Sequence, residues 1–161
     1  MEIAEIEQLM KKCSTGDILL SEKGDTFNII AEIVALRCQK MKFCKERWDF
    51  LASSGYDMEK AYRETVKDTQ ENTLAGFAIL LFSLANKYKA NIRNLRLEAD
   101  HNNQTIENLM YSMIKIVMTH YKPYKKIVIL IGMICGYCIS NEIDLVWFVK
   151  NRIRMEGYNI K

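Results

Sequence analysis

Pro123 is the sole proline in 161 residues, and only seven glycines join it as residues that readily break regular structure. Both types end helices and shape turns, and folds made of short strands use them at nearly every reversal. Their scarcity predicts an all-α protein, and the apolar spacing agrees. Ile3, Ile6, Leu9 and Met10 share one stripe of a helix from about Glu2 to Lys12, which ends near the turn signal "CSTGD". A second helix is expected to start near Asp25 or Thr26 as its cap and to continue through "TFNIIAEIVALRCQKMKF", with Phe27, Ile30, Ile33, Val34 and Leu36 to Arg37 giving a broad apolar face. "SSGYD" reads as a loop, with Asp57 placed to cap the next helix. From Met58 to about Tyr88 the pattern is helical, as two helices or as one bent near Asp68 to Thr73. Thr105 opens a helix carrying Ile106, Leu109, Met110, Met113, Ile114 and Val117 at helical spacing, and Pro123 separates it from "KKIVILIGMICGYCISN". A last helix, "EIDLVWFVKNRIRMEG", is closed by Gly157. The expectation is a bundle of five or six helices.

With 49% hydrophobic residues the chain is long enough for one substantial core, so residues 1–161 are read as a single all-helical domain. "EADHNNQ" is the strongest linker signal, and its Asn-rich stretch at 99–104 divides two halves, about 16–97 and 104–160. The halves echo one another. "FAILLFSLANKYKANI" laid over "VILIGMICGYCISNEI" puts Phe77 on Val128 and Ile92 on Ile143. Duplication would leave such an echo, and so would two buried helices of similar length.

The 23 basic and 20 acidic side chains, net +3, are mixed along the chain without a basic block, so a nucleic-acid partner is not expected. Five cysteines, an odd number, and an amphipathic Met1 to Lys12 in place of a secretory leader fit a reducing cytoplasm. "CGYC" has the spacing of a redox or zinc half-site, but no second pair and no histidine at ligand spacing accompany it, and it reads as two core thiols. The apolar run from Ile127 to Ile139 is shorter than the roughly 20 residues of a membrane span and reads as a core helix, so no membrane partner is expected. His101 in the polar linker and His120 beside a tyrosine lack the acid or serine pattern of nucleophilic catalysis. Trp48 and Trp147 are placed to stack on a base or to anchor helices.

The stretch from Lys67 to Ile92, "KDTQENTLAGFAILLFSLANKYKANI", opens polar and then turns apolar, as a helix does when its first turns face a charged ligand. Read as "Y-x-E-x-x-K-D-T-x-E-x-x-L-A-x" followed by "AILLFSLANKYKANI", and with "EIDLVWFVKNRIRMEGYN" downstream, it resembles the MazG-like all-α nucleoside triphosphate pyrophosphohydrolases. The resemblance covers roughly Gly16 to Ile92, with Asn141 to Asn159 standing for the family's C-terminal segment. It implies a bundle completed by a homodimer, in which an E-x-x-E helix faces an E-x-x-D helix. The four acids hold magnesium ions that bind a nucleoside triphosphate and activate water. Acids three apart put two carboxylates on one helix face, and two such faces make the oxygen cage a hard cation requires.

This chain departs from that pattern. In "NIIAEIVAL" Glu32 is the sole acid, with Ile29 and Ala35 three residues away, and Thr73 and Gly76 stand where E-x-x-D belongs. Glu32, Glu71 and Asp68 are the candidate metal ligands that remain, and Lys67 the candidate phosphate contact. Each has a plainer reading: Glu32 as an acid at the edge of a buried face, Asp68 and Glu71 as acids complementing a helix dipole, Lys67 as a solvated side chain. The expected function is that of a MazG-like helical protein with a degraded metal site, a non-catalytic nucleotide-related or regulatory or interaction module. The alternative is an active magnesium-dependent enzyme releasing pyrophosphate from nucleoside triphosphates, with acids contributed by Glu107, Glu142 and Asp144. A third reading is a helical bundle whose likeness to the family is accidental.

Overall fold

The computed structural model describes residues 3–14, 21–38, 41–92, 95, 105–156 and 159–160. They form eight helices: α1 (Ile3–Lys12), α2 (Glu22–Arg37), α3 (Lys45–Ser53), α4 (Met58–Thr65), α5 (Gln70–Lys87), α6 (Ile106–Val117), α7 (Pro123–Ser140) and α8 (Leu145–Met155). The described residues are all-α apart from an antiparallel pairing of two-residue strands, β1 (Cys13–Ser14) with β2 (Asn159–Ile160), and an isolated parallel bridge between Met41 and Thr69.

α5 is the axis of the molecule because it is buried nearly all round. Every residue from Asn72 to Ile79 is buried, and a helix without a solvated face must be surrounded. α1, α2, α7 and α8 surround it; α6 closes the gap between α2 and α7, and α3 packs on α4. Its start is fixed by Thr69, fully buried, whose hydroxyl accepts from the Asn72 N–H at 3.2 Å and donates to the Val66 carbonyl at 2.7 Å. At its far end Lys87 Nζ donates to Asp25 Oδ2 at 2.7 Å, and the Tyr88 hydroxyl donates to the same oxygen. Burial and that carboxylate push the Tyr88 phenol up to about 12. The pairing seats the first turn of α2 against the last turn of α5, so the two run antiparallel.

α5 and α7 stop in the same way. Ala90 N–H reaches back to the Ala85 carbonyl at 2.8 Å, and Ile143 N–H to the Cys138 carbonyl at 2.8 Å. In each, the residue before the donor is left-handed, Lys89 at φ 54° and Glu142 at φ 55°. This is the terminating motif in which glycine usually stands, because a Cβ there crowds the backbone. The two helices correspond from Gln70 with Pro123 to Lys87 with Ser140, two residues out of the register in which their sequences echo.

Several expected elements sit differently. Eight helices stand where five or six were expected, with Lys45–Ser53 helical; the Met58 to Tyr88 stretch, read as two helices or one bent, is two, parted at Val66 to Thr69. α2 begins at Glu22 under Ser21, whose hydroxyl accepts from Gly24 N–H at 3.1 Å, so neither Asp25 nor Thr26 is its cap, and it ends at Arg37, where Cys38 N–H turns back to the Ala35 carbonyl, instead of continuing to Phe43. Its buried side is Asp25, Ile29, Ile33 and Leu36, leaving Phe27 and Val34 exposed. Asp57 and Thr105 cap α4 and α6, and Pro123 opens α7 in its first turn. By length and composition α7, at 18 residues, is apolar enough to cross a membrane, and 44% of it is buried inside the fold. The 99–104 linker, His101 and Gly157 lie outside the described residues.

Candidate functional site

The first turns of α5 meet α4 and α8 in a partly buried polar cluster. Gly76 offers no side chain, and the guanidinium of Arg152 fills the space over it: a Cβ at Gly76 would stand 2.5 Å from Arg152 Cζ. From there Arg152 Nη1 donates to the Asn72 carbonyl at 2.9 Å, one turn earlier on α5, and Nε lies 3.3 Å from Glu156 Oε2. The Tyr62 hydroxyl donates to Glu156 Oε1 at 2.9 Å, with Asn72 Oδ1 3.2 Å away, and Asn72 Nδ2 donates to the Lys67 carbonyl at 3.0 Å. Burial, followed by the Glu156 carboxylate, holds the Tyr62 phenol well above its ordinary range.

Glu32 belongs to this neighbourhood. It sits on α2 one turn from the buried Ile29, half-buried; burial raises its pKa, and the Arg152 charge partly offsets that. Glu71 is elsewhere. It is half-buried in the first turn of α5, and its Oε2 accepts from Phe43 N–H at 3.3 Å, fastening the segment before α3. Gln70 N–H, donating to the Met41 carbonyl at 3.4 Å, adds a second tie. Lys67 and Asp68 are exposed in the turn between α4 and α5. Glu107 pairs with Arg37 at 2.5 Å, joining α6 to α2.

Glu142 and Asp144 do share a cleft with Glu71, a cavity of about 650 Å³. Its walls include Phe43, Trp48, Trp147 and Phe148. Trp147 stands edge-on to Trp48 at 5.5 Å and to Phe148 at 4.8 Å, and Phe43 is edge-on to Phe148 at 5.0 Å. Trp48 is buried, while Phe43 and Trp147 are half-buried.

Among the described residues no three of His, Cys, Asp and Glu are grouped so as to hold a metal ion, so Glu32, Asp68 and Glu71 do not form one cage. The acids present therefore do not fit magnesium, which needs several oxygens at once around one octahedral point. The "CGYC" thiols are buried and free; burial pushes Cys135 up to about 12 and Cys138 well above the usual thiol range, so both stay protonated. Arg152, at the centre of the polar cluster, is the residue that sequence reasoning missed. Its signal was a cation on the stripe of α8 that otherwise carries Leu145, Phe148, Val149 and Ile153. No protein family, curated protein or solved structure matches the chain.

Proposed function

We infer that this chain is a MazG-like helical module acting without catalysis, as a homodimeric interaction or regulatory protein, with an internal guanidinium in the position of the lineage's metal. The observation that carries the reading is Arg152 over Gly76, the position where the sequence pattern calls for a metal-binding carboxylate. An arginine is charged at every physiological pH and cannot exchange for an ion or activate a water. Next to Glu32 and Glu156 it offsets the carboxylates a metal would otherwise offset.

An exposed apolar face supports the homodimer. Arg37 and Glu107 join the end of α2 to the start of α6, so the two helices run antiparallel. Phe27 and Val34 on α2, and Tyr111, Ile114 and Met118 on α6, recur at helical spacing along stripes that start from that ion pair. Phe27, Tyr111 and Met118 are 66%, 64% and 73% exposed, an apolar face of the kind that marks protein contacts.

The test is a pyrophosphate-release assay with magnesium and a panel of nucleoside triphosphates. No release is expected from the folded chain. Release that disappears on Glu32→Ala or Glu71→Ala overturns the non-catalytic reading.

A further inference from the structure

We propose that the cleft between α3, the turn after α7 and the start of α8 binds a small organic cation, an alkylammonium carried on a molecule of metabolite size. The inference is independent of whether the chain descends from a nucleotide-cleaving enzyme, since it rests on the cleft's own walls.

The volume, about 650 Å³, is that of a metabolite pocket rather than a water-sized void. Its aromatic walls are more than a satellite core: Phe43 and Trp147 line the cleft and are only half-buried. Ring faces carry negative partial charge and attract ammonium groups, most strongly where water is excluded. Around these rings stand Asp49, Glu71, Glu142 and Asp144, against Lys45 as the one cation among the described lining residues. The C-terminal end of α7 enters the same wall through Asn141 to Ile143, while the N-terminal ends of α3, α5 and α8 enter it at Lys45, Glu71 and Asp144, so the side-chain charges rather than the helix dipoles set the sign of the cleft.

That combination selects the class of ligand. An anion meets four carboxylates against the single ammonium of Lys45. A hard metal ion needs acids gathered at one point, and the acids here are spread around the cleft without forming such a group. A neutral apolar molecule would use the rings but gain nothing from the carboxylates. An alkylammonium uses both, laying its methylenes or methyls on the rings and its charge toward Asp49 and Glu142.

The chain supplies its own reporter, because its two tryptophans are Trp48 and Trp147 and both line the cleft. The experiment titrates the full chain with choline, butylammonium and spermidine, following tryptophan fluorescence, with 3,3-dimethylbutan-1-ol as the uncharged counterpart of choline. At least one cation is expected to give a saturable change, and for choline the uncharged counterpart is expected to bind about tenfold more weakly or worse. Asp49→Asn combined with Glu142→Gln is expected to weaken the cation about tenfold while leaving the thermal melt in place, since both positions are exposed. No saturable change with any of the three cations overturns the proposal. So does equal binding of choline and its uncharged counterpart, or binding indifferent to the double substitution.

Discussion

Arg152 and Gly76, far apart in sequence, occupy one volume: the guanidinium lies where any side chain on that turn of α5 would have to go. The absent Cβ also uncovers the Asn72 carbonyl, which takes the Arg152 N–H at 2.9 Å. Glycine inside a helix ordinarily costs about 0.5–1 kcal/mol relative to alanine, so its presence here is explained by what stands over it.

The first prediction is a reversal of sign. Gly76→Ala in the natural chain displaces the guanidinium and is expected to destabilise by roughly 1–3 kcal/mol. In an Arg152→Ala background the same change is expected to stabilise by about 0.5–1 kcal/mol, because only the helix preference remains. Urea unfolding of the four variants measures this coupling, and effects of one sign in both backgrounds contradict the packing.

Glu32 sets a pH dependence. Burial raises its pKa in the folded state above the ordinary 4.5, so folding favours the protonated acid. Its contribution to stability is complete below 4.5 and is lost as pH rises through the raised folded value. Glu32→Gln is expected to be more stable than the parent at neutral pH, with the advantage vanishing at acid pH. Unfolding midpoints for both proteins across that range decide it; curves that stay parallel exclude Glu32 as the source.

The left-handed residues that end α5 and α7 give a third expectation. Lys89→Gly and Glu142→Gly remove a Cβ from a conformation that disfavours it, and each is expected to stabilise by about 1 kcal/mol. Thermal melts measure it, and a loss of stability in both would mean that the side chains contribute more than the backbone strain they impose.

Charge on the apolar face should separate the copies. Val34→Glu with Met118→Glu places two carboxylates among exposed apolar side chains. Light scattering is expected to give twice 18.8 kDa for the parent and 18.8 kDa for the variant, with an unchanged helical spectrum. A parent that is already monomeric removes the homodimer from the proposed function.

What was legible in the sequence was local. Thr105, Asp57 and Pro123 mark helix starts through chemistry confined to a few neighbouring residues, and each stands where that chemistry put it. α3 was missed because "KERWDFLAS" buries only Trp48 and so lacks an apolar stripe. Asp25 looked like a cap because aspartate is a good one; its actual partners, Lys87 and Tyr88, are on another helix. The same limit governed the candidate site. Gly76 could be read as a missing carboxylate, but the cation that fills its place comes from α8, and no periodicity within either helix connects them.

The short pairing of Ser14 with Asn159 and of Cys13 with Ile160 has a topological consequence. It brings the path from α1 to α8 back almost to where it started, so the backbone between those residues is nearly a ring. A linker that runs from β2 back along the ten residues of α1 to its start, with a cut at the solvated Ser54–Gly55 bend, would yield a permuted chain that begins at α4 and finishes with α3, every interhelical neighbour preserved.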